Sequence, residues 1–155
     1  MSVFVPDFHQ TAVARGVEAE TVGAPTGKIQ LLVDSRAAGG ALSTVRVTLE
    51  EGGDGARPHR HDRSAEMFYV LDGAVEVLSG SAVLSAEAGD VIVVPPRMPH
   101  AFAARRGSGA DLLIVIAPGV ERFEYFRQLS SAASRADRSR PKACARSRNS
   151  TTPGS

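Results

Sequence analysis

The sequence predicts an all-β fold, a sandwich or barrel of short strands, with one short C-terminal helix and a disordered basic tail. Three observations predict it. Apolar and polar residues alternate at period two, most clearly over residues 41–50, where Val45, Val47 and Leu49 fall on one face and Arg46, Thr48 and Glu50 on the other. Strand candidates recur at short, regular intervals between turn signals rich in Gly, Asp, Ser and Pro. No segment from Lys28 to Ala117 carries the longer period of an amphipathic helix.

Taken in order, Val3 to Phe8 and Ala19 to Val22 have the composition of short edge strands. Ile29 to Val33 is the first clear strand and ends at Asp34-Ser35. The alternating strand at 41–50 runs into the turn cluster Glu51-Gly52-Gly53-Asp54-Gly55. Further strands are expected at 66–71, 74–78, 81–85, 91–94, 100–103 and 111–116. The breaks between them fall at Asp72-Gly73, Ser79-Gly80, Ala88-Gly89-Asp90, Pro95-Pro96 and Gly107-Ser108-Gly109. Val120, Phe123, Phe126 and Leu129 then recur at helical spacing, which predicts a helix over 119–129. Beyond Leu129 the chain is rich in Ser, Ala and Arg with no apolar period. The domain is therefore placed at 1–129, with its core at 28–118, and 130–155 is read as the disordered basic tail.

Composition narrows the partners. At 155 residues and 43% hydrophobic, the chain suits one domain with a real core. Its net charge of +1 suggests no polyanionic partner. Residues 128–155 carry six Lys/Arg against one Asp, but no interleaved aromatics, so no nucleic-acid partner is expected. The longest apolar run, Leu112 to Pro118, is too short to span a bilayer, and no membrane partner is expected. The single cysteine, Cys144, excludes an intramolecular disulfide. The first residues lack the pattern of a signal peptide, and a cytoplasmic protein is expected.

The chemistry lies in the histidines. His59 and His61 are two apart, so an extended chain projects both imidazoles from one face. Glu66 follows after a gap that accommodates a bend, and His100 arrives on a later strand. Three neutral imidazoles and a carboxylate form a mixed N/O donor set suited to Mn, Fe, Co, Ni, Cu or Zn. A lone HxH pair would be weak support. His9 stands apart and is assigned no function.

The full arrangement is more specific. Gly53-x5-His59-x-His61-x4-Glu66-x6-Gly73 matches the first motif of the cupin superfamily at every fixed position. Gly89-x5-Pro95-x4-His100 resembles the second in spacing. The sequence thus resembles small single-domain cupins of the type-2 conserved-barrel, quercetin dioxygenase-like kind, over roughly Leu42 to Pro118. It departs from the second motif at Arg97, where glycine is usual, and at Ala104, where asparagine is usual. Arg97 bears on the turn, because glycine tolerates positive φ and arginine does not easily.

The resemblance implies a double-stranded β-helix, the jelly-roll barrel. It implies one divalent transition metal (Fe, Mn, Ni, Cu or Zn) held by His59, His61, Glu66 and His100. By alternation, Phe68 and Val70 share a face with Glu66, and Phe102 shares one with His100. These three are the candidate walls of a substrate pocket, with ordinary core packing the equal alternative. Arg46 is expected to face solvent, and Arg57, Arg60 and Arg63 form a solvated cluster near the ligand loop.

Three functions follow from the resemblance. The first is an oxygenase or dioxygenase acting on a small organic substrate, with Glu66 as both ligand and catalytic base. The second is an isomerase, cyclase or lyase that uses the metal as a Lewis acid. The third is a non-catalytic metal- or ligand-binding module. A homodimer is expected, with the N-terminal strands and the Phe123/Phe126 helix as contacts.

Overall fold

The computed structural model describes residues 3–24 and 26–140, and Cys144 lies outside them. Eight strands follow in order: β1 (Thr21–Ala24), β2 (Gly27–Val33), β3 (Ser43–Leu49), β4 (Ala65–Ser79), β5 (Ala82–Glu87), β6 (Val91–Val94), β7 (His100–Ala104) and β8 (Ala110–Ala117). One α-helix among the described residues, α1 (Phe123–Ser139), follows β8. The strands pair in the order β1-β2-β3-β8-β4-β5, and β6 and β7 also pair with β4.

β4 joins the two faces of the barrel. Its first half pairs with β6 and β8, and its second half with β5 and β7. The sequence predicts a break at Asp72-Gly73, whereas the strand continues through it. The register against β8 slips between Val70 and Asp72, leaving Leu71 as the extra residue of a bulge. Before it Glu66, Phe68 and Val70 point inward; after it Val75 and Val77 do. The bulge thus lets one strand present its apolar residues to the core on both sides of a bend. Gly73 serves the bend directly: its φ is 73°, and a Cβ there would collide with the Gly109 carbonyl.

The core follows the alternation of the sequence. Val45, Val47 and Leu49 of β3 join Leu112 and Ile114 of β8 and Phe68 and Val70 of β4 in one cluster. Phe68, Leu112, Val70, Val75 and Val77 have no measurable exposure. Burying one such side chain fully contributes about 1.5–3 kcal/mol.

Two segments differ from expectation. Residues 3–8 form no strand, and Val3, Phe4 and Val5 are exposed. Pro6 lacks a backbone donor, and Asp7 supplies a hydrogen bond outward, to the Gly39 carbonyl. The helix runs on to Ser139, so residues 130–139 are not the disordered tail that the missing apolar period suggested. Ala132, Ala133 and Ala136 favour helix without any periodicity, and the Ser131 and Ser134 hydroxyls donate to carbonyls four residues back. The rest of that tail, residues 141–155, lies outside the described residues.

α1 is seated on β1 and the barrel end. Phe126 is buried in the chain's own core. Arg127 binds the Glu20 carboxylate with two nitrogens at 2.7–3.1 Å. No helix among the described residues is long and apolar enough to cross a membrane.

Candidate metal centre

His59 and His100 are held side by side by the backbone. The two residues exchange both peptide hydrogen bonds, 3.0 Å and 2.8 Å, in an isolated antiparallel bridge. Their rings lie 4.4 Å apart. His61 stands two residues on, and its carbonyl accepts from Arg97 N–H at 2.7 Å. Gly55 lets this loop lie against the barrel, since a Cβ there would collide with the Phe102 ring. Glu66 enters from the start of β4, 1% exposed, and His100 from the start of β7, 2% exposed.

These elements bring the four donors named by the sequence to one point. Their ligand atoms all lie within 4.8 Å of one another. Glu66 Oε2 is 2.6 Å from His100 Nε2, 2.9 Å from His61 Nε2 and 3.5 Å from His59 Nε2. Three imidazole Nε2 atoms therefore converge on one carboxylate oxygen.

The protons show what this arrangement suits. His59 Nδ1 lies 2.8 Å from the Arg57 carbonyl, and His100 Nδ1 lies 2.8 Å from the Met98 carbonyl. A carbonyl only accepts, so each Nδ1 carries the proton and donates it. In neutral rings both Nε2 atoms then turn lone pairs toward the centre. His59 Nε2 is buried and has no hydrogen-bond partner. In a neutral His100, the Nε2 lone pair would face the Glu66 oxygen at 2.6 Å, which is repulsive without a shared cation. A metal ion satisfies all of these atoms together. The Nδ1-to-carbonyl bonds are the outer contacts that orient ligating imidazoles. The residues present fit a divalent metal.

Within the cluster the carboxylate and His100 favour each other's charged forms. Burial pushes the Glu66 carboxyl up, but the contacts of His100, His59 and His61 with Oε2 and the Arg122 charge outweigh it and hold the group far below the usual carboxylate range. Burial pushes His100 down, and the Glu66 carboxylate more than reverses this, leaving it raised. Glu66 is thus firmly ionised. Ionised, it is in the state in which a carboxylate ligates a metal.

The candidate walls are core residues. Phe68 sits edge-on to His100 with ring centres 6.3 Å apart, and Phe102 packs on Phe68 at 5.1 Å. Val70 lies one step deeper, opposite Leu112. Arg46 is outside the barrel, bound to Asp111 with its Nε 2.9 Å from Oδ1. Arg57, Arg60 and Arg63 are exposed.

One charged residue of the site was missed in the sequence. Arg122, just before α1, reaches back so that Nη1 lies 3.6 Å from Glu66 Oε1. Its side chain is only 14% exposed and stacks on Phe126 at 4.7 Å. Burial lowers the guanidinium's proton affinity, and Glu66 opposes that. Its one sequence signal is its place within the predicted helix, which carries no hint of the metal centre.

Arg97 answers the doubt about the second motif. It takes φ 68°, the left-handed conformation a glycine would adopt without strain. The turn survives the substitution.

The Cupin domain family matches residues 45–116, the span from β3 to β8 that contains all four donors. This region is a cupin domain. Solved structures agree on the fold. KdgF from Halomonas sp. superposes with a TM-score of 0.62 at 21% identity, over 72% of this chain and 96% of that one. The Streptomyces nucleoside dehydratase Pac13 gives 0.58 at 21% identity, over 73% of this cupin and 87% of its own chain. Bacillus subtilis oxalate decarboxylase, described with Mn(II) centres, gives 0.61 at 20% identity, over 74% of this cupin and 31% of its own chain. No curated protein sequence matches.

Proposed function

We propose that this cupin is a metal-dependent enzyme acting on a small organic molecule, with oxygenase or dioxygenase chemistry as its first reading. The observation that carries the proposal is the convergence of three imidazole Nε2 atoms and one carboxylate, with His59 Nε2 buried and otherwise unpartnered. His59, His61, Glu66 and His100 would hold the metal, one of Fe, Mn, Ni, Cu or Zn. A bound metal supplies Lewis acidity or, if redox-active, dioxygen activation. Four protein donors leave coordination positions open on an ion that prefers six. His59 and His61, with side chains 28% and 15% exposed, mark the side from which a substrate enters. Phe68 and Phe102 supply an apolar wall that keeps water from the far side, and Val70 backs it.

A second reading has its own support. Arg122 places a fixed positive charge beside Glu66, where it would stabilise negative charge developing on a substrate oxygen. That suits a lyase, decarboxylase or isomerase. The names of the dehydratase and the decarboxylase among the structural neighbours point the same way. Dioxygen electrode traces on metal-loaded protein with a panel of small phenols, diketones and hydroxy acids separate the readings. Uptake stoichiometric with substrate loss supports the oxygenase; turnover that continues without dioxygen supports the second reading. No turnover and no substrate binding would leave a metal-binding module.

A cytoplasmic homodimer belongs to the same proposal. Leu71, Val83, Val91 and Val93 are exposed apolar residues on β4, β5 and β6, a surface that a second copy would cover. Light scattering should give twice the 16.3 kDa chain mass, and a monomer at micromolar concentration would refute the dimer.

A further inference from the structure

The charge inside the barrel does not balance around a divalent metal. Among the described residues, Glu66 is the only buried acid, and His100 is the only other buried titratable group. Arg122 adds a permanent positive charge at 3.6 Å from Glu66 Oε1. Its position is held at both ends. Its backbone N–H donates to Asp34 Oδ1 at 2.9 Å, and its guanidinium lies over the Phe126 ring. Asp34 itself is committed to the helix start, accepting also from the N–H groups of Ser35 and Phe123. With neutral imidazoles, a divalent metal and Arg122 against Glu66 and the Asp34 carboxylate, which also acts on Arg122, leave a surplus of about one positive charge in a largely closed site, which is costly unless an anion enters.

The Glu66 carboxylate divides this field. Oε2 faces the three imidazoles and Oε1 faces the guanidinium. Beside Arg122, Ser43, Val45, Ile114, Ile116 and Phe123 enclose a cavity of about 10 Å³, room for about one oxygen atom. Its lining is apolar except for Arg122, Ser43, whose Oγ accepts from the Val120 N–H, and Thr44, whose Oγ1 is buried without a partner.

We propose that Arg122 is a specificity-determining residue, and that the substrate of this cupin is a small organic anion whose carboxylate would be held by the Arg122 guanidinium next to the metal site. The inference rests on the metal-centre reading and adds the substrate's charge. A neutral substrate leaves the surplus charge in place, whereas a carboxylate or dicarboxylate cancels it. Arg122 does not help retain the metal. As a like charge near the cation it weakens metal binding, and its presence is explained by the anion.

The test uses full-length protein loaded with Mn(II), with metal content measured first. Malonate and its neutral analogue malonamide are then titrated by calorimetry into wild type, R122K and R122M. Malonate should bind wild type at least tenfold more tightly than malonamide does. R122M should lose that preference while holding Mn(II) as tightly or more tightly, and R122K should keep part of it. Equal binding of malonate and malonamide to loaded wild type overturns the inference, as does full malonate affinity in R122M. If R122M fails to fold, the wild-type pair and R122K still decide. Protein that takes up no Mn(II) refutes the metal reading itself, a failure visible before any anion is added.

Discussion

Arg97→Gly tests how the second motif is built. Arg97 sits at φ 68° in the turn that leads into His100, and its side chain is exposed. A left-handed conformation costs a non-glycine residue about 1–2 kcal/mol. Glycine avoids that cost but loses about 0.5–1 kcal/mol more backbone entropy on folding. The balance is a gain of about 0.5–1 kcal/mol for Arg97→Gly, which is about 1–4 °C in Tm for a chain of this size. The Arg97 N–H bond to the His61 carbonyl remains, because glycine keeps the donor. Arg97→Ala keeps the Cβ and should leave Tm unchanged. Urea and thermal unfolding of the three proteins measure this. A Gly variant no more stable than wild type refutes the strain argument. An Ala variant as stable as the Gly variant would place the effect in the side chain instead of the backbone.

Other outcomes follow from the core and the helix seat. Phe68→Ala removes a fully buried ring that touches both His100 and Phe102, and it should cost about 3–5 kcal/mol in urea unfolding; a loss under about 1 kcal/mol would contradict the packing described. Asp34→Ala removes the acceptor at the start of α1 and should cost about 1 kcal/mol near neutral pH. Burial raises Asp34, but backbone bonds from Arg122, Phe123 and Ser35 and a side-chain bond with Glu121 hold it below 3.8. A depressed carboxyl contributes stability above its unfolded value and loses it as pH falls through the lower folded value, so the wild-type advantage over Asp34→Ala should decline as pH falls toward and below about 3.8. Glu121, raised by its bond to Asp34, should protonate first and slightly widen that advantage on the way down. A difference in unfolding free energy that is flat between pH 3 and 7 would refute the assignment.

The barrel was legible because its strands are half-buried. Inward residues of β3, β7 and β8 alternate with outward ones, and the period-two pattern records that directly. The donors were legible in two ways: His59 and His61 share a face by their two-residue step, and Glu66 and His100 joined them through the resemblance to the two cupin motifs. The continuity of β4 was not legible. A bulge at Leu71 and a positive-φ glycine at Gly73 look like a turn in sequence and are a bend in one strand. The second half of α1 was missed because its residues favour helix by propensity, with no buried face to give a period. Arg122 was missed for a different reason. It meets Glu66 across 56 positions of sequence, and only the seating of α1 on the barrel end creates that contact.

The account turns on a metal at the point where four side chains meet. Elemental analysis of purified wild type, His59→Ala and His100→Ala measures it most directly. About one equivalent of Fe, Mn, Ni, Cu or Zn per chain in wild type, and loss of that metal in both variants, is the predicted result. Wild type that carries no transition metal, even after incubation with these ions, would contradict the account.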